Sequence, residues 1–404
     1  MTTTTNTKSI KHGEWTFDYN MKKNIFKQDI DSFEAFKFNH DNVVNEYNSN
    51  NDKLTSSDLE DFRRASVIHK IARKKALTML YSGSKLSDLV DSVENMIIKL
   101  CQQNPSTYFN IDSKDSHKSG IAFPIGVSIN NVVAHDSKTR GVKESRVFYE
   151  GDVVKIDIGV HINGRIIDSA FTHIITNKPG IHDQDSVYNP VLEASRDSVF
   201  TAIKMAGPDQ KLIEISESIS EVISSYEVDD GHDIINVKPV NGIGGHNIKQ
   251  YTIHGGKLIL SHPDEKIQSN QIMTKDEIYA IETFASTGYG NMTQNSDMNT
   301  CTHFMESGKS EVKNDSKGYD KYKSSDLYKW MKTRNGLPYS SSWINIGSGN
   351  IEKFEKSFQY GISNGLITAY PPLYDKHNSV VAQFEHTIHI KDGSVEIFSL
   401  GEDY

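Results

Sequence analysis

The chain has 404 residues, of which 36% are in the AVILMFWYC class, 24% are charged and 9% are aromatic, and its net charge is −9. That length allows one large domain or two to three ordinary ones of roughly 150 residues, and the composition excludes collagen-like, wholly disordered and coiled-coil chains. No apolar run approaches the roughly 18 residues that span a membrane, the start MTTTTNTKSIKHGEW lacks the apolar core of a secretory signal, Cys101 and Cys301 cannot make a disulfide framework, and the acidic balance argues against nucleic-acid binding through bulk phosphate attraction.

The expectation is a soluble cytoplasmic protein with no membrane and no specific nucleic-acid partner. Residues 1–52, with MTTTTNT and the Asn-rich DNVVNEYNSNNDK, read as a low-complexity tail with at most local structure. Residues 53–404 read as the folded body. Ser57-Asp58-Leu59-Glu60 has the form of a capping box, and Leu59, Phe62, Ile68, Ile71, Ala72, Met79 and Leu80 then fall mostly on one helical face until Tyr81-Ser82-Gly83. Leu86, Leu89, Val90, Val93, Ile97 and Leu100 predict a second amphipathic helix. From about 121 to 300, short β-branched runs alternate with helical segments at 187–206 and 209–227, an α/β or α+β body. Residues 305–369, rich in Lys, Ser and Asn, read as an inserted helical subdomain with helices near SSDLYKWMK and NIEKFEKSF.

The segment VVKIDIGVHINGRIIDSAFT, residues 153–172, carries the most chemistry. Asn163-Gly164 between two β-rich runs predicts a two-residue type I′ hairpin. Ile162 then faces Arg165, Asp168 faces Gly159, and Asp157 shares that face two residues away. Asp157 and Asp168 become diagonal neighbours about 7–8 Å apart or less, a separation that suits a metal ion between them. Two surface aspartates on a solvated face fit the hairpin alone equally well. Gly159 tips the balance, since a strand glycine often marks close approach of another group.

Downstream, His246 sits in NGIGGHNIKQ, Glu282 in EIYAIETFAST and Glu385 in VVAQFEHTIHI. Acidic residues inside such apolar runs are seldom buried unless paired or coordinating, though each taken singly reads as salt-bridged. The Gly242–Gly245 run lacks a following GK[ST] and is rejected as a phosphate loop. No GxSxG, HExxH or CxxC motif occurs. Cys101 and Cys301 read as inert thiols.

Taken together and in this order, these stretches resemble the type 2 methionine aminopeptidases: Ala122-Phe123-Pro124 through Asn130-Asn131 to Ala134-His135; Asp157 to Asp168; Gly245-His246-Asn247-Ile248 with Tyr251 and Ile253-His254; Tyr279-Ala280-Ile281-Glu282-Thr283-Phe284; Tyr370-Pro371-Pro372-Leu373; Ala382-Gln383-Phe384-Glu385-His386-Thr387; and Gly401-Glu402-Asp403-Tyr404. The likeness runs from about residue 55 onward. It implies the pita-bread fold, two pseudo-symmetric halves in which a curved antiparallel sheet lies under paired helices. It also implies a dinuclear metal centre held by Asp157, Asp168, His246, Glu282 and Glu385. The oxygen-rich donor set with one imidazole favours cobalt, manganese or iron, with zinc also compatible. The separation of 103 positions from Glu282 to Glu385 leaves room for the insertion that marks type 2 enzymes.

The implied activity is removal of an N-terminal methionine from peptides and nascent proteins when the second residue is small. The resemblance makes Glu282 a general acid/base as well as a ligand. It places His254 on the substrate amide, and His135 near the leaving group, where fumagillin-type epoxides attack the family. Phe123, Ile253, Phe284, His303 and Tyr370 match the family's methionine pocket, with His135 and His254 also contacting substrate. Ordinary core packing is the commoner fate of residues such as Phe123 and Phe284. The lysine and acidic blocks that precede the catalytic part in eukaryotic relatives are not found in this sequence, so their ribosome and initiation-factor associations are not carried over, and the ribosome is left as an open partner. The expected state is a monomer. Two other readings are a proline-specific peptidase of the same fold, whose multi-histidine signature is missing, and a non-catalytic pita-bread binding protein, which would have lost ligands.

Overall fold

The computed structural model describes residues 9–12, 15–18, 54–109, 118–139, 145–294, 297–309, 312, 315–344 and 351–403. Of the amino-terminal segment, the described part before residue 54 is a two-stranded ladder of Ser9–His12 (β1) against Trp15–Asp18 (β2). The rest of residues 1–52 lies outside the described residues.

The first body helix, α1, spans Ser56–Leu77. Its capping box lies two residues before the one the sequence suggests. Thr55 Oγ1 accepts from Asp58 N at 3.2 Å, and Asp58 Oδ2 accepts from Thr55 N at 2.9 Å. Asp58 also pairs with Arg165 at 2.7 Å, so the hairpin turn fixes the acidic residue of the box and Ser57 becomes helical. The helix stops at Leu77, short of Tyr81-Ser82-Gly83, with Thr78 Oγ1 bonded to Lys75 O at 2.7 Å. The second helix, α2 (Leu86–Leu100), has the bounds its periodicity predicts, and Leu86, Leu89, Val90, Val93 and Ile97 are all buried.

The architecture repeats. In one half, Val153–Ile162 (β6) and Arg165–Ile174 (β7) form a hairpin; Ser119–Ile121 (β3) and Gly126–Ile129 (β4) share the outer edge of β6, and Val132–Ala134 (β5) follows them. Helix α1 packs on β6 and β7, with α2 against it. In the other half, helices α3 (Asn189–Met205) and α4 (Leu212–Ser224) pair in the same way. They cover an antiparallel sheet containing Gly244–Ile248 (β8), Leu258–Leu260 (β9), Ile278–Ser286 (β10), Val381–Lys391 (β14) and Ser394–Ile397 (β15), in the order β9–β8–β10–β14–β15.

Between β10 and β14 the chain leaves the sheet. His303–Glu306 (β11) pairs with Ile367–Tyr370 (β12), and between these strands lie helices α5 (Ser316–Lys323), α6 (Asp326–Thr333) and α7 (Ile351–Ser363). The first of the three was not read from the sequence, because SKGYDKYK has too few apolar positions to show a face. The return strand Leu373–Tyr374 (β13) pairs with β5 of the first half.

The two sheets meet along β7 and β14. Three hydroxyls bond to backbone across this seam: Thr172 Oγ1 donates to Gln383 O at 2.7 Å, Ser169 Oγ to Glu385 O at 2.6 Å, and Thr387 Oγ1 to Asp168 O at 2.6 Å. Backbone polar groups buried at such a junction need partners, and the hydroxyls supply them while holding the strands side by side.

Candidate metal centre

The hairpin has the predicted register: Ile162 faces Arg165, Gly159 faces Asp168, and Asp157 faces Ala170. Asp157 and Asp168 thus share a face. Gly159 does admit a close neighbour, the Phe123 ring. A Cβ there would lie 2.3 Å from Phe123 Cε1. Gly126, opposite Asp157, is close as well, with a virtual Cβ 2.9 Å from Asp157 Cβ.

The second half builds a matching face. Glu282 stands directly opposite Glu385, and His246 opposite Ala280, two residues from Glu282. Gly244 and Gly245 serve strand packing: Cβ atoms there would lie 2.3 Å from Ile259 O and 2.4 Å from Ala280 O. The seam then sets Asp168 beside Glu385. Asp168, His246 and Glu385, all buried, each offer one ligand atom within 4.8 Å of the others. His246 Nε2 lies 3.6 Å from Asp168 Oδ2 and 3.9 Å from Glu282 Oε1. Asp157 and Glu282 flank this group in the same cavity. Gln383 Nε2 donates to Glu282 Oε2 at 3.1 Å and its side chain also hydrogen-bonds Asp157.

Four carboxyls this close repel one another. Burial first, then mutual repulsion, pushes Asp168, Glu282 and Glu385 well above the ordinary carboxylate range, and burial pushes Asp157 up to about 7. Burial and the neighbouring His254 keep His246 neutral, the form that ligates. Asp157 Oδ1 is buried with no hydrogen-bond partner. An orphaned buried oxygen, clustered carboxyls and a neutral imidazole are the donor set of a hard or borderline divalent cation.

Above this floor opens a cavity of about 510 Å³. Every site residue expected from the sequence lines it: the five acidic and imidazole groups of the floor, then His135, His254, Phe123, Ile253, Phe284, His303 and Tyr370. His303 and Tyr370 are direct partners across the β11–β12 ladder. The His135 ring lies 5.8 Å from the His303 ring and 5.7 Å from that of Tyr370. His135 holds a left-handed φ of 67°, an uncommon backbone for a non-glycine residue and one that clusters at functional sites. Burial keeps it neutral, lowered to about 4. His254 opens to the cavity and stands edge-on to His246 at 4.4 Å.

A sequence profile of metallopeptidase family M24 matches residues 60–310. Methionine aminopeptidase 2-2 of Ajellomyces capsulatus is 35% identical over 348 residues, covering 86% of this chain and 69% of the relative. The chain belongs to metallopeptidase family M24. Within M24 it falls among the methionine aminopeptidases 2; that of Podospora anserina is 33% identical over 363 residues, 90% of this chain and 75% of the relative. Two solved structures show the fold. A thermophilic Arx1 superposes with a TM-score of 0.67 at 16% identity, over 86% of this chain and 91% of its own. The Thermotoga maritima methionine aminopeptidase gives 0.54 at 18% identity, over 86% and 98%. The fold is thus the expected pita-bread arrangement.

The M24 cavity also holds residues the sequence reading passed over. Lys155 and Gln383 each lie two positions before a predicted ligand, Asp157 and Glu385, so strand alternation already placed them on the same face. Lys155 is buried and donates to Asn130 O at 2.8 Å and Val381 O at 2.9 Å, joining the two halves. Leu258, Leu260, Met292 and Leu373 complete the apolar wall; Met292 lies outside the strands, where no periodicity marks it. The two cysteines are buried, and burial raises Cys101 to about 12 and Cys301 to about 11, which disfavours the thiolate form. Among the described residues no helix is long and apolar enough to cross a membrane.

Proposed function

We infer that this M24 chain removes the N-terminal methionine from peptides and newly made proteins whose second residue is small, using two divalent cations held by Asp157, Asp168, His246, Glu282 and Glu385. The observation that carries the reading is the convergence of Asp168, His246 and Glu385 beneath an apolar and imidazole-lined cavity, flanked by Asp157 and Glu282, in a chain 35% identical to a methionine aminopeptidase. Cobalt, manganese and iron suit this donor set best. Asp168, His246 and Glu385 would form the centre of the cation-holding set, with Asp157 and Glu282 completing it from either side. When bound, the cations make water a nucleophile near neutral pH and polarise the scissile carbonyl.

The remaining work belongs to side chains. The floor closes one end of the cavity, so a free amino end fits against it and a longer extension does not, which limits the reaction to one residue. Phe123, Ile253, Phe284, His303 and Tyr370 enclose the methionine side chain, with Leu258 and Met292 adding adaptable apolar wall. Glu282 receives the proton of the attacking water and passes it to the leaving amine. His254 donates to the carbonyl oxygen as it gains charge, and His135 sits at the leaving-group side. A collision with the rim around His135 and His254 disfavours bulky second residues. The substrate is an extended amino terminus.

The test is hydrolysis of Met-Ala-Ser by metal-loaded protein, beside Ala-Pro and Met-Leu-Ser controls. Release of methionine from the first alone is expected. Cleavage of Ala-Pro in preference would overturn the assignment, as would purified protein that retains no divalent metal at saturating supply.

A further inference from the structure

Helix α1 carries buried polar side chains on the face that meets the sheets: Ser66, His69 and Arg73. Such groups are costly in a helix–sheet interface unless they bond something there. Each bonds backbone carbonyls of the sheet or the carboxy-terminal segment. Ser66 Oγ donates to Phe398 O, and Arg73 Nη1 to Ser399 O at 3.0 Å. His69 is the member nearest the metal-site hairpin. Its Nε2–H is shared between Ile158 O at 3.0 Å and Ser169 O at 3.3 Å.

Ile158 and Ser169 are partners across the β6–β7 ladder. Each directly follows one of the hairpin aspartates, Asp157 and Asp168, so their backbone carries those carboxylates on the opposite face. We propose that His69 is a positioning residue of the metal centre, its shared hydrogen bond fixing from behind the strand separation that sets the distance between Asp157 and Asp168.

Three features support this over a packing role. The His69 side chain is fully buried with Nδ1 unpaired, a penalty that an apolar residue of similar size avoids. Burial, and then the nearby Arg73, lower its pKa to about 3, so the ring is neutral and keeps a single N–H, directed at the two carbonyl acceptors. Finally, the load it bears is real: the two carboxyls in front repel each other, which acts to spread the hairpin in the metal-free chain. Groups that orient metal-bearing side chains from behind typically contribute about 10–100-fold in metal affinity.

The proposal rests on Asp157 and Asp168 being ligands. Calorimetric titration of the metal-free full chain with Mn(II) tests both, alongside the visible absorption of the Co(II)-loaded protein, which reports ligand geometry. His69→Leu should weaken Mn(II) about 10–100-fold and alter the Co(II) bands. His69→Gln, whose amide N–H reaches about as far as the ring Nε2, should recover most of the affinity, and the shorter His69→Asn should not. If His69→Leu yields no folded protein, the Gln and Asn variants decide by the same comparison. Wild-type Mn(II) affinity in His69→Leu, or equal affinities in Gln and Asn, would overturn the proposal whatever happens to thermal stability. Unchanged Mn(II) affinity in Asp168→Asn would instead remove the ligand assignment itself, so the two failures are distinguishable.

Discussion

Glu282 and Glu385 face each other directly across the β10–β14 ladder, both aimed at the same cavity. Like charges directly opposite in a sheet are destabilising, and this pair stands with Asp157 and Asp168 in the same buried site. The metal-free fold therefore carries a fault that only cations or protons relieve. Asp157 shows the sign: its folded pKa is about 7 against an ordinary 3.8. Between those values the folded chain holds a proton that the unfolded chain has released, so stability of the metal-free protein falls as pH rises from about 4 to about 7. Glu282, Glu385 and Asp168 shift in the same direction. The gain in melting temperature on adding Mn(II) should accordingly be larger at about pH 7.5 than at about pH 5. Scanning calorimetry at both values, with and without metal, checks this; an equal gain would mean the carboxyls are not what the cation relieves.

Removing a ligand should separate fold from activity. Glu385→Ala takes away one wall of the Asp168–His246–Glu385 group and one member of the repelling pair. Methionine release should fall by more than ~100-fold, beyond what outer partners cost, and bound metal should drop below the wild-type content by elemental analysis. The metal-free variant should be at least as stable as the metal-free parent, because a repulsion has gone. A variant less stable than its metal-free parent would show that Glu385 serves structure more than metal.

His135 offers a covalent handle. Its ring is neutral at pH 7, being lowered to about 4 by burial, and it lines the cavity beside His303 and Tyr370. A fumagillin-type epoxide placed there should be opened by the ring nitrogen, with the new alkoxide taking up a proton, so that one inhibitor mass is added to the intact chain. His135→Asn should abolish the addition. Peptide mapping that finds the label on another residue would refute the placement.

The two halves of the site were unequally legible. The hairpin could be read because Asn163-Gly164 fixes a register, and alternation then decides which residues share a face; the observed pairs agree. The Glu282–Glu385 pairing could not be derived from pattern, since the strands lie 103 positions apart and no tight turn between them fixes a register; α3 packs across both. Only the resemblance brought those residues together. Alternation places Gln383 and Lys155 on the same faces, but an amide or a lysine in a strand carries no signal of its own, whereas a carboxyl inside an apolar run does. The box at Ser57 was misplaced because two adjacent segments satisfy the same local rule, and a tertiary contact, Asp58 with Arg165, chooses between them. For the seam between β7 and β14, nothing local in the sequence announces that hydroxyls would join two strands.

That seam yields the last prediction. Thr387 Oγ1 accepts from Asp168 N at 2.8 Å and donates to Asp168 O at 2.6 Å, so one hydroxyl satisfies both backbone groups of a proposed ligand. Thr387 is fully buried, and water is a poor substitute there. Thr387→Val keeps the shape and removes the hydroxyl, leaving an N–H and a carbonyl short of partners. A buried unsatisfied group costs ~1–3 kcal/mol, so the variant should lose about that much stability in urea unfolding. Because Asp168 and Glu385 lie on the two sides of this seam, their spacing should loosen as well, and Mn(II) affinity should fall. Thr387→Ser restores the hydroxyl and should recover affinity with little of the stability loss. If Thr387→Val loses stability but binds Mn(II) as the parent does, the seam holds the halves together without setting the distance between Asp168 and Glu385, and the metal site must be spaced by its other contacts.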